Sequence, residues 1–259
     1  MRQIKLQERL DKILANHGFG TRSEVKRIVK NGCVTVNDTV VKNSNIHIEL
    51  SKDRIAVDGE ILEIKPHVYF MMNKKAGYVC TAKTGANPTV FELLDEKDRG
   101  RRLGGDLGIV GRLDIDTEGL LILTTDGELN HQLTSPKYDI PKTYFVRLEQ
   151  MTDCLQQAEY TDKIAEGVRI PPEDHEDSAL CKGGELTWID GSTCLLTIYE
   201  GLYHEVKRIF SALGNKVVYL KRVRVNGLEL DTDLKPGEYR ELSEDELIKL
   251  CHTLTNRYL

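Results

Sequence analysis

The first sixty residues show two helical patterns of apolar positions, followed by short alternating stretches. Apolar side chains recur at helical spacing over residues 4–14, which predicts a first helix. Residues 22–30 predict a second helix, because Thr21 at its start and Glu24 three positions later form a capping-box sequence. The alternation that follows is typical of short strands. The pattern therefore predicts a small module of helices and strands over residues 1–62.

The rest of the chain contains apolar, β-rich runs that predict strands. Each run is short and ends at a charged or glycine-containing segment. These runs cover residues 68–78, 107–110, 120–125, 142–148 and 217–227. Two helices are predicted at 128–133 and 206–213. A third is predicted after Ser243, where a second capping-box sequence occurs. A second, larger domain is therefore expected.

One acidic loop, Gly111–Gly119, separates two of the predicted strands. It places Asp114, Asp116 and Glu118 at alternate positions, so an extended backbone would direct all three carboxylates to one side. Arg112 lies two residues before Asp114 and would share its face. A carboxylate beside a fixed guanidinium stays ionised at neutral pH, because the opposite charge favours the charged form. An ionised carboxylate suits a nucleophile or a proton acceptor better than an acid.

Three interpretations of this loop are open from its residues alone. The spacing of Asp114, Asp116 and Gly119 resembles the start of a calcium-binding EF-hand loop, but Thr125 stands at the twelfth position, where a bidentate Glu is needed. The flanking strand patterns also differ from the helices of an EF-hand. A second interpretation is an acidic turn that only connects two strands. The third is a catalytic carboxylate at the end of a strand.

Charge is distributed unevenly along the chain. The formal net charge of the 259 residues is −5, which by itself argues against a nucleic-acid partner. Residues 1–45, however, contain nine Lys or Arg and four Asp or Glu, a balance of +5, and leave −10 for the remainder. A basic module on an acidic body is expected where RNA binding is confined to that module. Arg22, Lys26 and Arg27 point outward from the second predicted helix, either as RNA contacts or as an ordinary solvated face.

Cysteine spacing and hydropathy indicate the cellular compartment. The six cysteines form no C-x-x-C pair and show no metal-ligand spacing, so we expect buried free thiols and no metal site. The sequence has no apolar run of about 18 residues and no apolar N-terminal signal. We therefore expect a cytoplasmic protein with reduced thiols and no membrane role.

Three motifs resemble, in the same order, those of the RsuA/RluB-type ribosomal pseudouridine synthases. The first is Gly-Arg-Leu-Asp-x-Asp-Thr-x-Gly-Leu-Leu over residues 111–121. The second is Lys-Thr-Tyr at 142–144, and the third runs over 199–210 from a strand into a helix. The N-terminal pattern of two helices followed by Gly-x-Val-x-Val-Asn resembles the small RNA-binding module named after ribosomal protein S-four. Together the resemblances cover nearly the whole chain.

The resemblance implies roles for particular residues. Asp114 would be the catalytic aspartate, Tyr144 would lie against the target base, and Lys207 would pair with Asp114. Glu205 departs from the pattern, because the family usually has Gln at this position. Leu220 would pack beneath the active site. We place the other substrate-binding residues on the same motifs and on the basic helix: Arg112, Arg208, Arg22, Lys26 and Arg27.

The resemblance also implies a fold and an activity. The fold is α+β, with the S-four type module over 1–62 and a synthase domain over 68–250 around a mixed, largely antiparallel sheet. The activity is the isomerisation of a specific, flipped-out uridine of small-subunit (16S) ribosomal RNA to pseudouridine, since Tyr203-His204 and Lys207-Arg208 resemble the small-subunit branch. No cofactor is needed. The expected partner is ribosomal RNA, as free RNA or an assembly intermediate, bound by a monomer.

Other functions stay open at this point. The chain could be a large-subunit (23S) rRNA pseudouridine synthase, or an RNA-binding ribosome assembly factor without catalysis. It could also be a retaining glycosidase, which would need two carboxyl groups about 5 Å apart. The basic module and the Lys-Thr-Tyr strand count against the glycosidase.

Overall fold

The structure is a computed structural model that describes residues 7–50, 52–62, 64, 67–83, 85–99, 106–252 and 254. The start of the first predicted helix, residues 4–6, lies outside the described residues. The chain divides into two compact units, Met1–Val68 with Lys97–Leu107 and Tyr69–Glu96 with Gly108–Leu259. Each unit has its own hydrophobic core.

The first unit combines two helices with short antiparallel strands. Its elements are β1 (Gln7–Arg9), α1 (Leu10–Asn16), α2 (Arg22–Lys30), β2 (Val34–Val36), β3 (Thr39–Val40), β4 (His47–Glu49), β5 (Ile55–Val57) and β6 (Glu60–Ile61). Four strands form a sheet in the order β3-β2-β5-β6, and β1 pairs with β4. The helix predicted over 4–14 is wrong at its start: Gln7–Arg9 are extended because their backbone pairs with β4, and α1 begins at Leu10.

Helix α2 has the bounds that the sequence predicts. The Thr21 hydroxyl accepts a hydrogen bond from the Glu24 amide, and the Glu24 carboxylate accepts one from the Thr21 amide, so the capping box is formed. Val25 and Val29 are buried in the core of this unit. The outward direction of the basic side chains is confirmed, because all of them are exposed: Arg22, Lys26, Arg27 and Lys30.

The second unit carries the longer strands. Its elements in the described ranges are β7 (Tyr69–Lys74), β8 (Gly108–Val110), β9 (Glu118–Thr124), α4 (Gly127–Thr134), β10 (Lys142–Leu148), α5 (Cys154–Glu166), β11 (Arg169–Ile170), β12 (Ala179–Leu180), β13 (Glu185–Trp188), β14 (Thr193–Ile198), α6 (Glu205–Ala212), β15 (Val217–Val225), β16 (Leu228–Glu229), β17 (Tyr239–Glu241) and α7 (Glu244–Cys251). A short helix, α3 (Glu96–Arg99), spans the sequence boundary between the two units.

A nine-stranded sheet organises the described residues of this second unit. Its path is β13-β14-β10-β15-β9-β7-β17, with β16 paired to β15 and β8 paired to β9. The pairs are antiparallel except for β15 with β9, which are parallel. The predicted α+β class with a mixed, largely antiparallel sheet is confirmed.

Helices α4 and α7 cover part of this sheet. Leu120 and Ile122 of β9 pack with Leu129 of α4 and Leu250 of α7, and all of these side chains are buried. Full burial of a side chain of this size contributes roughly 1.5–3 kcal/mol. This core anchors β8 and β9, and therefore both ends of the acidic loop that connects them.

Two expectations about the chain as a whole can be compared with the described residues. Within those ranges, the helices are too short or too polar to cross a lipid bilayer. All six cysteines are free thiols. Cys181, Cys194 and Cys251 are buried, whereas Cys154 is exposed at the start of α5, so the expectation of burial is wrong for that thiol.

Candidate active site

Asp114 lies in the connection between β8 and β9, at the first position of a tight turn. The Thr117 amide donates to the carbonyl oxygen of Asp114 at 3.1 Å and closes that turn. The prediction of an extended loop with three carboxylates on one side is therefore wrong. Glu118 already belongs to β9, and its carboxylate accepts a hydrogen bond from the Tyr219 hydroxyl at 2.7 Å. The Glu118 carboxylate thus has a partner of its own, and the three carboxylates do not converge as calcium ligands do.

A buried lysine holds this turn in place. Lys74, the last residue of β7, is 0% exposed. Its Nζ donates to the main-chain carbonyl oxygens of Asp114 at 3.0 Å, Thr117 at 2.8 Å and Ile115 at 3.3 Å. Burial lowers the pKa of Lys74, while Cys80 and the nearby carboxylates oppose that shift. The Lys74 side chain is therefore a fixed donor around which the loop folds.

Gly119 allows β9 to approach β15 closely at the other end of the loop. Its φ is +101°, and a Cβ atom there would lie 2.2 Å from the carbonyl oxygen of Arg222. The two residues are directly opposite in the parallel β9–β15 pair. Only glycine tolerates both this backbone conformation and this contact. The glycine that ends the acidic loop thus brings this loop beside β15.

Lys207 on α6 pairs with both carboxylates of the turn. Its Nζ lies 3.0 Å from Oδ2 of Asp114 and 2.7 Å from Oδ1 of Asp116. Burial lowers the pKa of Lys207, but its hydrogen bonds with Asp116 and Asp114 outweigh burial and raise the pKa overall. Burial raises the pKa of Asp116, and the hydrogen bond and charge of Lys207 reverse that shift and lower it. The contact between Lys207 and Asp116 therefore favours the charged form of both side chains.

Arg112 does not form the ion pair considered for it. Its side chain is exposed. In the part of the chain that the structure describes, Asp114 instead pairs with Lys207 and lies 3.7 Å from Nε2 of His204, a contact that is ionic when the imidazole is protonated. His204 adopts a left-handed conformation before α6, and its Nδ1 lies 3.1 Å from Oε1 of Glu173. The sequence analysis used His204 only as a mark of the small-subunit branch and assigned it no place beside Asp114.

A cavity of about 720 Å³ opens beside these groups. Ligand pockets of proteins typically measure roughly 300–1,000 Å³. Four residues that the sequence assigned to catalysis or substrate binding line this cavity together: Asp114, Tyr144, Lys207 and Arg112. The cavity is also lined by Lys142 and Arg222, to which the sequence assigned no role.

Tyr144 borders the cavity from β10. It is 8% exposed and stands opposite Arg222 of β15. Burial raises the pKa of Tyr144, Arg222 opposes that shift, and the carboxylates of Glu205 and Asp114 add to it. The phenol therefore keeps its proton at neutral pH. Its ring offers an aromatic surface of the kind on which nucleobases stack.

Leu220 lies beneath the same groups. It is 6% exposed and lines a smaller cavity of about 70 Å³ together with Asp114, Tyr144 and Glu205. An apolar residue here limits how far water can reach behind Asp114. Arg22, Lys26 and Arg27 belong to the other unit and do not line either cavity.

Glu205 is a buried acid at the start of α6. It is 4% exposed, and its Oε2 accepts a hydrogen bond from the Leu202 amide at 2.9 Å. Burial raises the pKa of Glu205 to about 7, and Glu200 adds to that shift while Lys142 and Arg208 oppose it. Near neutral pH the carboxyl is therefore neutral in a substantial fraction of molecules. In that form it resembles the Gln that is usual at this position in the family.

Arg208 has a structural position, which contradicts its predicted role in substrate binding. It is 3% exposed and lines neither of the two cavities. Its Nε and Nη2 donate to the carbonyl oxygen of Pro171, Nη2 also donates to that of Asp177, and Nη1 donates to that of Tyr203. All three nitrogens thus bind main-chain oxygens. Arg208 fixes neighbouring segments to α6 and leaves Lys207 as the cation that faces Asp114.

Sequence reasoning missed three cations around the site. They are Lys74, Lys142 and Arg222, and each belongs to a strand with buried apolar neighbours. Lys142 opens the Lys-Thr-Tyr motif, but for Lys74 and Arg222 a charged residue within such a strand was the only available signal. That signal is weak, because a lysine or arginine at a strand end or edge is commonly solvated.

Comparison with known proteins identifies both parts of the chain. Residues 68–212, more than half of the sequence, match the family model described as RNA pseudouridylate synthase. The chain belongs to the RNA pseudouridylate synthase family. Residues 8–55 match the S4 domain. The family and the N-terminal module predicted from the motifs are therefore confirmed, and with them the enzyme class, an isomerase that acts on RNA uridine.

Relatives align over almost the whole chain. The ribosomal small subunit pseudouridine synthase A of Vibrio vulnificus is 40% identical over 92% of this chain and 97% of its own length. The protein of the same name from Escherichia coli is 40% identical over 92% and 98%. An uncharacterised RNA pseudouridine synthase of Bacillus subtilis is 39% identical over 92% and 96%. A crystal structure of a pseudouridylate synthase is 38% identical, covers 93% of this chain and 99% of its own, and superposes with a TM-score of 0.63.

Proposed function

We propose that this protein isomerises a specific uridine of small-subunit ribosomal RNA to pseudouridine. The proposal assigns residues 68–250 to catalysis and residues 1–62 to RNA binding, with phosphate contacts from Arg22, Lys26 and Arg27. It is supported by two relatives that are named for the small ribosomal subunit and align over almost the whole chain. The enzyme works in the cytoplasm as a monomer, without a cofactor, on free RNA or an assembly intermediate.

The observation that carries the proposal is the contact between Asp114 and Lys207 in the cavity wall. The two side chains meet at 3.0 Å, and Tyr144 borders the same cavity. Pseudouridine formation breaks the bond between ribose C1′ and uracil N1, rotates the base and joins C1′ to C5. C5 then loses its proton and N1 gains one, so the product is an isomer of the substrate. An ionised Asp114 acts at the ribose, and Tyr144 supplies the surface against which the base lies. The Tyr144 hydroxyl is available for the proton transfer that ends the reaction.

Lys207 holds the Asp114 carboxylate in place through their ion pair. Both side chains are about a quarter exposed, so solvent screening limits the ion pair to roughly 1 kcal/mol. The target uridine must also leave its base stack to enter the cavity. Base flipping costs about a few kcal/mol and is cheapest in unpaired RNA. Phosphate contacts from the basic helix α2 and from the exposed Arg112 offset that cost.

The decisive experiment maps pseudouridine in ribosomal RNA from cells with and without the gene. We expect one site in the small-subunit RNA to disappear on deletion and to return with the wild-type gene. Loss of a site in the large-subunit RNA would assign the enzyme to the other target. Unchanged maps of both RNAs would contradict the proposal.

A matched pair of variants tests the role of Asp114. Asp114→Asn keeps the shape of the side chain but loses its charge, so turnover on a small-subunit transcript should vanish while RNA affinity changes only a few-fold. Asp116→Asn is the control, because it removes the neighbouring carboxylate from Lys207 and leaves Asp114 in contact. Asp116→Asn should retain most of the turnover. Near-wild-type turnover of Asp114→Asn would rule out the catalytic assignment.

A further inference from the structure

Two cations, Lys142 and Arg222, line the active-site cavity without a carboxylate partner. In the described ranges neither forms an ion pair, although Lys207 in the same cavity pairs with two acids. Lys142 begins β10, and its Nζ donates to the carbonyl oxygen of Ile140 at 2.9 Å. Arg222 is 3% exposed, its Nε donates to the carbonyl oxygen of Leu120 at 2.8 Å, and its Nη2 has no hydrogen-bond partner.

The charges around Lys142 do not neutralise it. Arg222 faces it from β15 and repels it, whereas Glu205 of α6 and Asp139 of the preceding segment attract it. Asp139 already forms an ion pair with Lys182, and Glu205 is a buried acid with a pKa raised by burial to about 7. Burial, followed by the repulsion of Arg222, lowers the pKa of Lys142 to about 8. The two cations are thus held close together at a free-energy cost that an anion would relieve.

The anion must come from the substrate. In RNA the base and the ribose are neutral, and the phosphodiester carries the negative charge. A guanidinium and an ammonium that converge on one phosphate form strong, charge-assisted hydrogen bonds. Tyr144, the surface for the target base, follows Lys142 by two positions on β10 and stands directly opposite Arg222 of β15, so a bound phosphate would belong to the target nucleotide or its immediate neighbour.

We propose that Lys142 and Arg222 form a subsite for the phosphodiester that flanks the flipped uridine. The proposal rests on the proposed function, since it supposes that a uridine occupies the cavity. The subsite positions the nucleotide: it fixes the backbone so that the ribose lies at Asp114 and the base at Tyr144. Contacts of this kind set register and carry no sequence information.

A chemical double-mutant cycle tests the subsite. The RNA substrate is prepared with its normal backbone and with a single, uncharged methylphosphonate on either side of the target uridine. On normal RNA, Lys142→Gln should weaken binding about tenfold and reduce the slope of log K against log salt by about 0.7, the value for one phosphate contact with a single strand. On one of the two methylphosphonate RNAs, the same substitution should have almost no further effect. Equal losses on all three RNAs would overturn the proposal.

A second variant separates charge from folding. Lys142→Arg keeps the positive charge at all accessible pH values, whereas the wild-type lysine loses its proton above about pH 8. Wild-type affinity for normal RNA should therefore fall between about pH 7 and about pH 9, and Lys142→Arg should bind equally well at both. A parallel fall for both proteins would contradict the subsite. Lys163→Gln, on the exposed face of α5, is the control for the loss of a surface lysine.

The binding tests of the subsite can fail or succeed independently of the proposed function. Binding of normal and methylphosphonate RNA needs no turnover, so the subsite can fail while wild-type enzyme still makes pseudouridine. Conversely, a wild-type enzyme that binds this RNA but makes no pseudouridine in it would contradict the proposed function and leave the binding cycle interpretable.

Discussion

Nζ of Lys74 lies 3.0 Å from the main-chain carbonyl oxygen of Asp114, and this contact ties the active-site turn to the central sheet. The lysine is fully buried, and its other hydrogen bonds also go to carbonyl oxygens around the turn. It therefore supports the backbone of Asp114, while Lys207 contacts the carboxylate of the same residue. The position of Asp114 thus depends on two lysines with different tasks.

Lys74→Met should disorder the Asp114 turn. The methionine fills similar space but leaves buried carbonyl oxygens without a donor, which should cost about 2–4 kcal/mol of folding free energy. Turnover should fall even at temperatures where the variant is folded, because Asp114 is no longer held. Denaturant unfolding and single-turnover kinetics measure the two effects. Lys75→Met, at the exposed neighbouring position, should change neither, and an equally stable and active Lys74→Met would contradict this role.

The triple substitution Arg22→Ala, Lys26→Ala and Arg27→Ala tests whether helix α2 binds RNA. The three side chains are exposed, so the fold should be retained. The loss of about three phosphate contacts should weaken RNA binding and lower its salt dependence by about three units of slope. Filter binding across a salt series measures this. A control triple substitution of exposed lysines in the second unit, at Lys163, Lys216 and Lys249, should leave the slope unchanged. If the two triple variants had equal slopes of log K against log salt, the basic face of α2 would be a solvated surface without RNA contacts.

Local signals in the sequence predicted much of the fold. The capping boxes at Thr21 and Ser243 form as expected, since they depend only on residues three positions apart. Strand β10 has the predicted bounds, because Tyr144, Val146 and Leu148 recur at alternate positions and are all buried. The start of α1 was misplaced because it depends on a long-range contact. Residues 7–9 are extended because they pair with β4, about forty positions away, and nothing in their own sequence indicates that partner.

In the candidate site, too, local motifs could be recognised in the sequence and long-range contacts could not. Asp114, Tyr144 and Lys207 could be named because each lies in a contiguous motif, and the structure brings them to one cavity. Arg208 was misassigned because its helical position alone places it beside Lys207. Its burial depends on the carbonyl oxygens of Pro171 and Asp177, which approach from a distant loop. Long-range contacts of this kind also explain why the role of Lys74 was not foreseen.

Glu205→Gln should change how stability depends on pH. Burial raises the pKa of Glu205 to about 7, whereas the unfolded chain has the ordinary value of 4.5. The wild-type protein therefore loses stability as pH rises from the unfolded pKa through the folded one, because the folded state holds the proton more tightly. The Gln variant has no such loss and should be about 1–3 kcal/mol more stable than wild type at pH 8, with the difference shrinking toward pH 5.

Unfolding by urea at several pH values measures this difference. Glu159→Gln, at an exposed position of α5, serves as the control and should follow the wild-type curve. If the free energies of unfolding of Glu205→Gln and wild type differed by the same amount from pH 5 to pH 8, burial would not raise the pKa of Glu205.

Tyr144→Phe separates the aromatic ring of Tyr144 from its hydroxyl. The ring that borders the cavity is kept, so RNA affinity should stay within a few-fold of wild type. Burial keeps the phenol protonated, and if this hydroxyl takes part in the proton transfer that ends the reaction, turnover should fall by about 10²–10⁴-fold. Tyr160→Phe removes a hydroxyl that donates to Leu213 outside the cavity, and it should reduce stability by about 1 kcal/mol without slowing turnover. Single-turnover assays beside binding measurements distinguish the two variants. Unchanged turnover of Tyr144→Phe would restrict Tyr144 to contact with the base and leave the proton transfer to another group in the cavity.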